Sequence, residues 1–307
     1  MIRVDRSVST RIETSRCIGC GACVAVCPAQ TLRLVDGKAV VAGAESLACG
    51  HCAAACPQEA VTVEALDPVQ ARFATFEADP RWLPPGRSDL AQLARLMASR
   101  RSCRNFTGDP VPLARLEDLV RIGITAPSGS NCQPWTFTLL PDRTAVLALA
   151  REVAAFFARL NRRAESAWLR WLLRVAGRPQ LDFYFRNYHD AVAENLSQWE
   201  QTGCDRLFHG APAAMVVASR PASCPIEDCL LATGQILLAA HAMGLGTCLI
   251  GFAVSALQHD RAIPRRLGLG PDETVRAVIA LGHPAEAYRR PAGRRAVTVR
   301  RFAGHKE

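Results

Sequence analysis

The chain has 307 residues, 49% of them hydrophobic, and a formal charge of +9 from 37 Lys and Arg against 28 Asp and Glu. That length buries a real core and suits two unequal domains better than one. Residues 1–66 hold six basic and six acidic side chains, so the whole excess lies beyond them; with no aromatic-interleaved basic repeat, zinc finger or helix-turn-helix pattern, it reads as a solvated arginine-rich surface and excludes nucleic acid as a partner.

The first 66 residues read as a small cysteine-rich unit built on an internal repeat. MIRVDRSVSTRIE is polar and has no signal-peptide core. Seven of the thirteen cysteines then follow in tight CxxC spacing, which in a reducing compartment indicates metal and not disulfides, so the cytoplasm is the expected location. CIGCGACVAVCP and SLACGHCAAACP superpose on a shift of 29 positions, with Cys20 on Cys49, Cys23 on Cys52, Cys27 on Cys56 and Cys17 on Ser46. CxxCxxCxxxCP is the run of bacterial ferredoxins, in which the fourth cysteine of each run ligates the other cluster. Zinc would require no such duplication. The crossing rule makes Cys17, Cys20, Cys23 and Cys56 a complete [4Fe–4S] set. It leaves Cys27, Cys49 and Cys52 with Ser46 at the fourth corner. A hydroxyl ionises far less readily than a thiol and is a harder ligand. The second site is therefore expected to hold a [3Fe–4S] cluster, a serine-ligated or labile [4Fe–4S] cluster, or one completed by an outside ligand.

Between the runs, LRLVDGKAVV reads as a hairpin turning at Asp36-Gly37. Residues 67–87, rich in proline and without a sustained period, read as a linker to a second domain over 88–307. There SDLAQLARLMASRR offers an N-cap and spaces Leu90, Leu93, Leu96 and Met97 as a helix, and Pro112 opens another in VPLARLEDLVRIGITA. WTFTLL, AAMVVAS and VRAVIALG are strands. The run from 226 to 245 is interrupted by Glu227, Asp228, Gln235 and His241 and reads as a buried helix, not a membrane span. This order defines an α+β domain with helices covering one sheet. NRRAESAWLRWLLRVAGR (161–178) carries Trp168, Leu169, Trp171, Leu172 and Val175 among arginines, a stripe expected to pack on its own domain or on a dimer partner.

Four blocks, RRSCRNF from Arg100, APSGSNCQPWTF, GLGTCLIGF and LGHPAEAYRRPAGRR, occur together in one order. On these blocks and the cysteine runs the chain resembles the nitroreductase family of FMN enzymes, in the branch with an N-terminal two-cluster ferredoxin domain. The resemblance implies a nitroreductase-like fold with helices around a central sheet, and a homodimer with FMN at the subunit interface. It assigns Arg100, Arg101 and Ser102 to the flavin phosphate and Arg104 to the flavin N1 and C2 carbonyl. It also assigns Pro127, Ser128 and Asn131 to a loop reaching the partner's flavin, shaped by Gln133, Pro134 and Trp135. Leu249, Ile250 and Gly251 fall beside N5 and O4, and Arg294, with Arg290 or Arg295 in support, closes on the phosphate.

No Ser/His/Asp triad is present, so no protein residue is expected to be the catalyst, and His209 and His241 read as structural histidines. The cysteines outside the runs read as small apolar residues, with Cys103 and Cys132 near the flavin. The expected function is an FMN-dependent oxidoreductase that passes electrons between the clusters and FMN and reduces a small acceptor, a nitro compound or an activated alkene. Its donor is a low-potential one-electron carrier, or NAD(P)H. The alternative is a non-catalytic redox sensor or electron store.

Overall fold

In the computed structural model, which describes residues 5–302 and 304, the 29-residue repeat is visible in the backbone. β1 (Thr10–Ile12), α1 (Ala22–Ala25) and β2 (Leu32–Val35) are answered by β3 (Lys38–Val41), α2 (His51–Ala54) and β4 (Val61–Val63). β1 runs antiparallel to β4 and β2 to β3, so each two-stranded sheet takes one strand from each half. Asp36 and Gly37, at φ of 48° and 74°, form the hairpin turn that their sequence demands. Gly21 and Gly50 precede α1 and α2 in the left-handed region, at 76° and 75°, and a Cβ at Gly50 would meet Leu66 at 2.7 Å. Cys23, Leu32, Ala39, Cys52, Val61 and Val63 make the core of this unit.

The linker is fastened to the second unit by one buried carboxylate. Asp118, on α4 (Leu113–Gly123), is fully buried. It accepts from the backbone N–H groups of Ala74 at 2.9 Å and Thr75 at 2.7 Å, from Thr75 Oγ1 at 2.7 Å and from Arg121 at 2.8 Å. Burial opposes its ionisation, but these donors outweigh burial and hold the carboxyl below its ordinary range.

Before α4 runs α3 (Leu90–Ser99), capped by Asp89 and not by Ser88; the Asp89 carboxylate accepts from Gln92 N at 3.0 Å. After α4 come β5 (Trp135–Leu140), α5 (Arg143–Glu165), α6 (Ala167–Val175), α7 (Gln180–Asn187), α8 (His189–Thr202), β6 (Ala213–Ser219) and α9 (Pro225–Ala242). β7 (Gly246–Leu249), α10 (Gly251–His259), α11 (Ala262–Arg266) and β8 (Thr274–Gly282) complete the unit. Its sheet has the order β5-β6-β8-β7, with every neighbouring pair antiparallel.

Helices cover both faces of that sheet. Alternate residues of the strands belong to opposite cores, since successive side chains point to opposite faces. Ala214, Val216, Ala218, Val278 and Ala280 pack under α5 and α10, whereas Ala213, Met215, Val217, Ala277, Ile279 and Leu281 pack under α4 and α9. β6 is therefore buried at all seven positions, which is why AAMVVAS is apolar throughout and does not alternate.

Residues 161–178 are not one helix. Ser166, at ψ of 101°, ends α5 and caps α6. Trp168, Trp171, Leu172 and Val175 are exposed, so their own domain does not cover them. α9 likewise buries Cys229, Ala232, Ile236 and Ala240 and leaves Ile226, Leu230 and Leu231 exposed. A helix apolar on more sides than its own fold covers has a face to share. Beyond β8 the chain runs extended and exposed through Phe302. Among the described residues no helix is long and apolar enough to cross a membrane.

Candidate functional site

Residues 102 and 103 lie along β7 as a short extra edge, and 105–107 pair with 283–285 beyond β8. Ser102 bridges to Thr247, and Cys103 N donates to the Thr247 carbonyl at 2.8 Å. Alternation along this extended segment sorts its side chains. Arg104 opens into a cavity of about 640 Å³ walled by Leu249, Ile250, Gly251, Phe157, Tyr184, Tyr188, Phe252 and His209. Burial pushes the Cys248 thiol in the same wall up, opposed by the charges of Arg104 and Arg100, which places both guanidinium groups nearby. Arg101 and Cys103 turn the other way, into a separate cavity of about 440 Å³ shared with Arg95, His241, Arg289 and Arg290. Arg101 and Arg104 therefore do not meet in one chain, and Cys103 faces away from the cavity of Arg104. Arg294 lies in the exposed tail and donates to the carbonyls of Ala292 at 2.9 Å and Gly293 at 3.2 Å.

The wall at 249–251 is suited to a flat, electron-accepting ring. Ile250 N donates to the Val278 carbonyl at 2.8 Å, which pins the strand end. Gly251 then begins α10, whose first turn has N–H groups with no partner inside the helix and carries the positive end of its dipole. Tyr184 donates from its hydroxyl to Asn161 Oδ1 at 2.5 Å, and burial pushes its pKa up to about 12, so it stays a neutral phenol. His209, which reads as structural in the sequence, stands in the cavity wall. Burial, then the charge of Arg104, lowers its pKa, and at φ of 58° it turns sharply in LFHGAP. The signal that marks it is the glycine after it, which only tertiary structure connects to Arg104.

The loop 127–134 lies elsewhere. Ser130, Asn131 and Gln133 all take left-handed φ, at 52°, 55° and 44°, a cost that persists only where the surroundings enforce it. Gly129 N donates to the buried Asp228 at 2.9 Å, Gln133 N to Ser128 Oγ at 3.1 Å, and Gln133 Nε2 to Asn131 Oδ1 at 3.2 Å. Pro127 is exposed and Ser128 half-buried. Asn131 reaches into the cysteine-rich unit: its amide donates to the carbonyls of Leu47 at 3.2 Å and Ala48 at 3.0 Å. Both donors and the acceptor of Asn131 are thus engaged within the chain.

These two groups of residues sit at opposite corners of the sheet. In register, Trp135 faces Ser219 and Ser219 faces Thr274, while Leu249 faces Ile279. Through Met215, Leu249 is level with Leu139, so three strand spacings across and four residues along put Trp135 and Leu249 about 20 Å apart.

In the first unit, burial pushes the Cys23 thiol up and the nearby Cys56 and Cys17 add to it. Burial also pushes Cys52 up; a backbone hydrogen bond from Ala53 opposes this, and Cys27 and Cys49 reinforce it. Cys17 and Cys56 thus lie near Cys23, and Cys27 and Cys49 near Cys52. Cys27, Cys49, Cys52 and Ser46 line one cavity. Cys27 Sγ accepts from Thr31 N at 3.3 Å, and its repeat mate Cys56 Sγ from Ala60 N at 3.2 Å. Cys17 is lowered first by the backbone N–H of Ala39 and then by that of Gly19. Ser46 Oγ accepts from Ala48 N at 3.0 Å, and Ala48 is the repeat mate of Gly19. The serine oxygen thus stands where its mate's sulfur stands. Such N–H donors stabilise thiolates, so these residues fit iron–sulfur clusters. Among the described residues no three His, Cys, Asp or Glu side chains converge as a single ion would require, whereas each thiolate of a cluster caps its own iron.

A basic, helix-tipped cavity in one unit and two cysteine runs in the other define a flavin oxidoreductase fused to a ferredoxin-type module. The chain belongs to the nitroreductase family, whose model matches residues 97–283, and a 4Fe-4S dicluster domain model matches residues 9–57. It is an FMN-dependent oxidoreductase. It is 31% identical to an NADH dehydrogenase of Thermus thermophilus over 188 residues, 61% of this chain and 84% of that one. It is 36% identical to an iodotyrosine deiodinase of Haliscomenobacter hydrossis over 124 residues, 36% of this chain and 54% of that one. The fold is that of an FMN-bound nitroreductase from Bacteroides fragilis, with a TM-score of 0.50 and 20% identity over 69% of this chain and 98% of that one.

Proposed function

We propose that the protein is a cytoplasmic homodimer that takes electrons through its iron–sulfur module and reduces a small electron-poor acceptor, a nitro compound or an activated alkene. The observation that carries this is the cavity over Leu249, Ile250 and Gly251, with Arg104 at one wall and Phe157, Tyr184, Tyr188 and Phe252 at the others. FMN, when bound, supplies the electron transfer to the acceptor, and the protein supplies position and charge. Arg104 would favour the anionic reduced ring, Arg100 and Ser102 on the same edge would serve the phosphate, and the α10 terminus would offer its free N–H groups to the ring.

The remaining residues of the site come from a second copy. Pro127, Ser128 and the backbone at Asn131 approach the partner's ring, a reading supported by the separation of about 20 Å between Trp135 and Leu249 within one chain. Arg294 reaches a phosphate by way of the tail, and Arg101 supports that end. The exposed faces of α9 and of the tail supply the apolar surface such a dimer needs. The first cluster is a [4Fe–4S] centre on Cys17, Cys20, Cys23 and Cys56; the second, on Cys27, Cys49 and Cys52, is serine-ligated or a [3Fe–4S] centre. A low-potential one-electron carrier feeds the clusters, since hydride from NAD(P)H needs none.

A redox sensor or electron store is the second reading, and Ser46 is the one observation that favours it. Anaerobic steady-state assays separate the two. Multiple turnovers of a nitroaromatic or enone with reduced ferredoxin, lost together with FMN in Arg104→Ala, are expected; bleaching that stops at one stoichiometric equivalent would sink the enzyme reading.

A further inference from the structure

The geometry points to electron transfer between subunits: the iron–sulfur module of each chain reduces the flavin of its partner, not its own. This rests on the reading that FMN binds between two copies, and goes beyond it by fixing which cluster serves which flavin.

The contact that orients the module is local to one corner of the sheet. The loop from Ser46 to Cys49 borders the cavity of Cys27, Cys49 and Cys52, and it is this loop that Asn131 holds by two hydrogen bonds. The second set is thus the one set against the flavin domain, and it is set against the loop 127–134. That loop belongs to the β5 edge. The same chain's flavin wall, Leu249 to Gly251 with Arg104, is at the β7 edge, with Leu249 about 20 Å from Trp135 across the diagonal of the sheet. Two buried helical layers and the sheet lie around that path. Electron transfer weakens steeply with distance, so the module is placed badly for its own flavin.

In a two-fold dimer the same surface is contributed by both copies, and each β5 corner meets the partner's β7 corner. The loop that approaches the partner's ring is then also the loop that carries this chain's second cluster. Ser46 lies at the junction, buried and with its oxygen held by Ala48 N, so the weakly ligated corner of that cluster faces the partner's cofactor across Leu47, Ala48 and Asn131. The balance is simple. With clusters and FMN bound, two reduced ferredoxins would each give up one electron through the cysteine sets and be oxidised, and those two electrons with one proton from solvent would convert FMN to the anionic reduced form that Arg104 favours.

Mixed dimers test this. One chain carries Arg100→Glu and Arg104→Glu, which reverses charge at the flavin wall and keeps both clusters. The other carries Cys49→Ala and Cys52→Ala, or Cys27→Ala should the double variant not fold, and keeps its flavin wall. Differently tagged, the pair is purified through both tags, counted for iron and FMN, and mixed with reduced ferredoxin in a stopped-flow spectrometer without acceptor. The expected result is FMN at half the wild-type content, bleached as fast per flavin as in the wild type. Bleaching as slow as in the dimer of the cluster-less chain would mean that each module serves its own flavin, and overturns the proposal while leaving the shared site intact. A mixed dimer without FMN, or a monomer with full FMN, removes the shared site itself and the proposal with it.

Discussion

The side-chain amide of Asn131 bonds to the carbonyl of Ala48, 83 residues earlier, at 3.0 Å. It joins the two units at the residue whose left-handed φ, 46°, places its N–H on Ser46. Asn131→Asp replaces the amide NH2, which supplies both donors, by a carboxylate oxygen that faces two carbonyl oxygens. The junction is expected to lose about 2 to 3 kcal/mol, and flavin bleaching by reduced ferredoxin should slow while iron per chain is unchanged. An unaltered bleaching rate would show that this contact does not set the electron path.

Ser46→Cys restores a thiolate at a corner whose hydrogen-bond donor is already in place. Iron should rise toward about eight per chain, the content of two cubanes each held by four thiolates. The oxidised protein should lose the paramagnetic signal of a [3Fe–4S] centre. Two alike [4Fe–4S] clusters in the unmodified protein would mean that the serine is a competent ligand.

His209 makes stability depend on pH. Its pKa in the folded chain is lowered from 6.5 by burial and by Arg104, so the unfolded chain holds more protons as the pH falls through that value. The stability contributed above pH 6.5 is lost on acidification. His209→Gln should flatten the fall of the urea midpoint below that pH relative to the parent. Parallel curves for the two proteins would show that neither burial nor Arg104 lowers the histidine's pKa in the folded chain.

Asp118→Ala leaves the N–H groups of Ala74 and Thr75 and the Arg121 guanidinium without their acceptor. A loss of about 3 to 5 kcal/mol is expected, together with new protease cleavage within residues 67–88. Since the folded pKa of Asp118 is lowered, its contribution is present at neutral pH and disappears as pH falls below 3.8. Unchanged cleavage would show that the linker is held by other contacts.

What could be read from the sequence was local. The cysteine runs, the turn at Asp36-Gly37, the strands and the helix opened by Pro112 follow from spacing and turn chemistry, and the fold has them; the helix read over 226–245 ends at Ala242. The family blocks named Arg104 and the 249–251 wall, which do meet. What escaped was set by packing. An alternating strand sends Arg101 to the opposite side from Arg104, because the edge pairing of Ser102 with Thr247 decides the faces. His209, Phe157, Tyr184 and Tyr188 reach the cavity from segments without a motif. The partner of Asn131 lies in another domain, and the break at Ser166 comes from a cap within what reads as one amphipathic stripe.

The paired N–H to sulfur bonds of Thr31 and Ala60 give the molecule an internal standard. A substitution made in one half can be repeated 29 residues away, in the same chain, buffer and spectrum. The difference between the two variants then cancels whatever the repeats share. What remains is the influence of neighbours on one metal centre, of which the serine corner and its attachment to the flavin domain are the largest asymmetries.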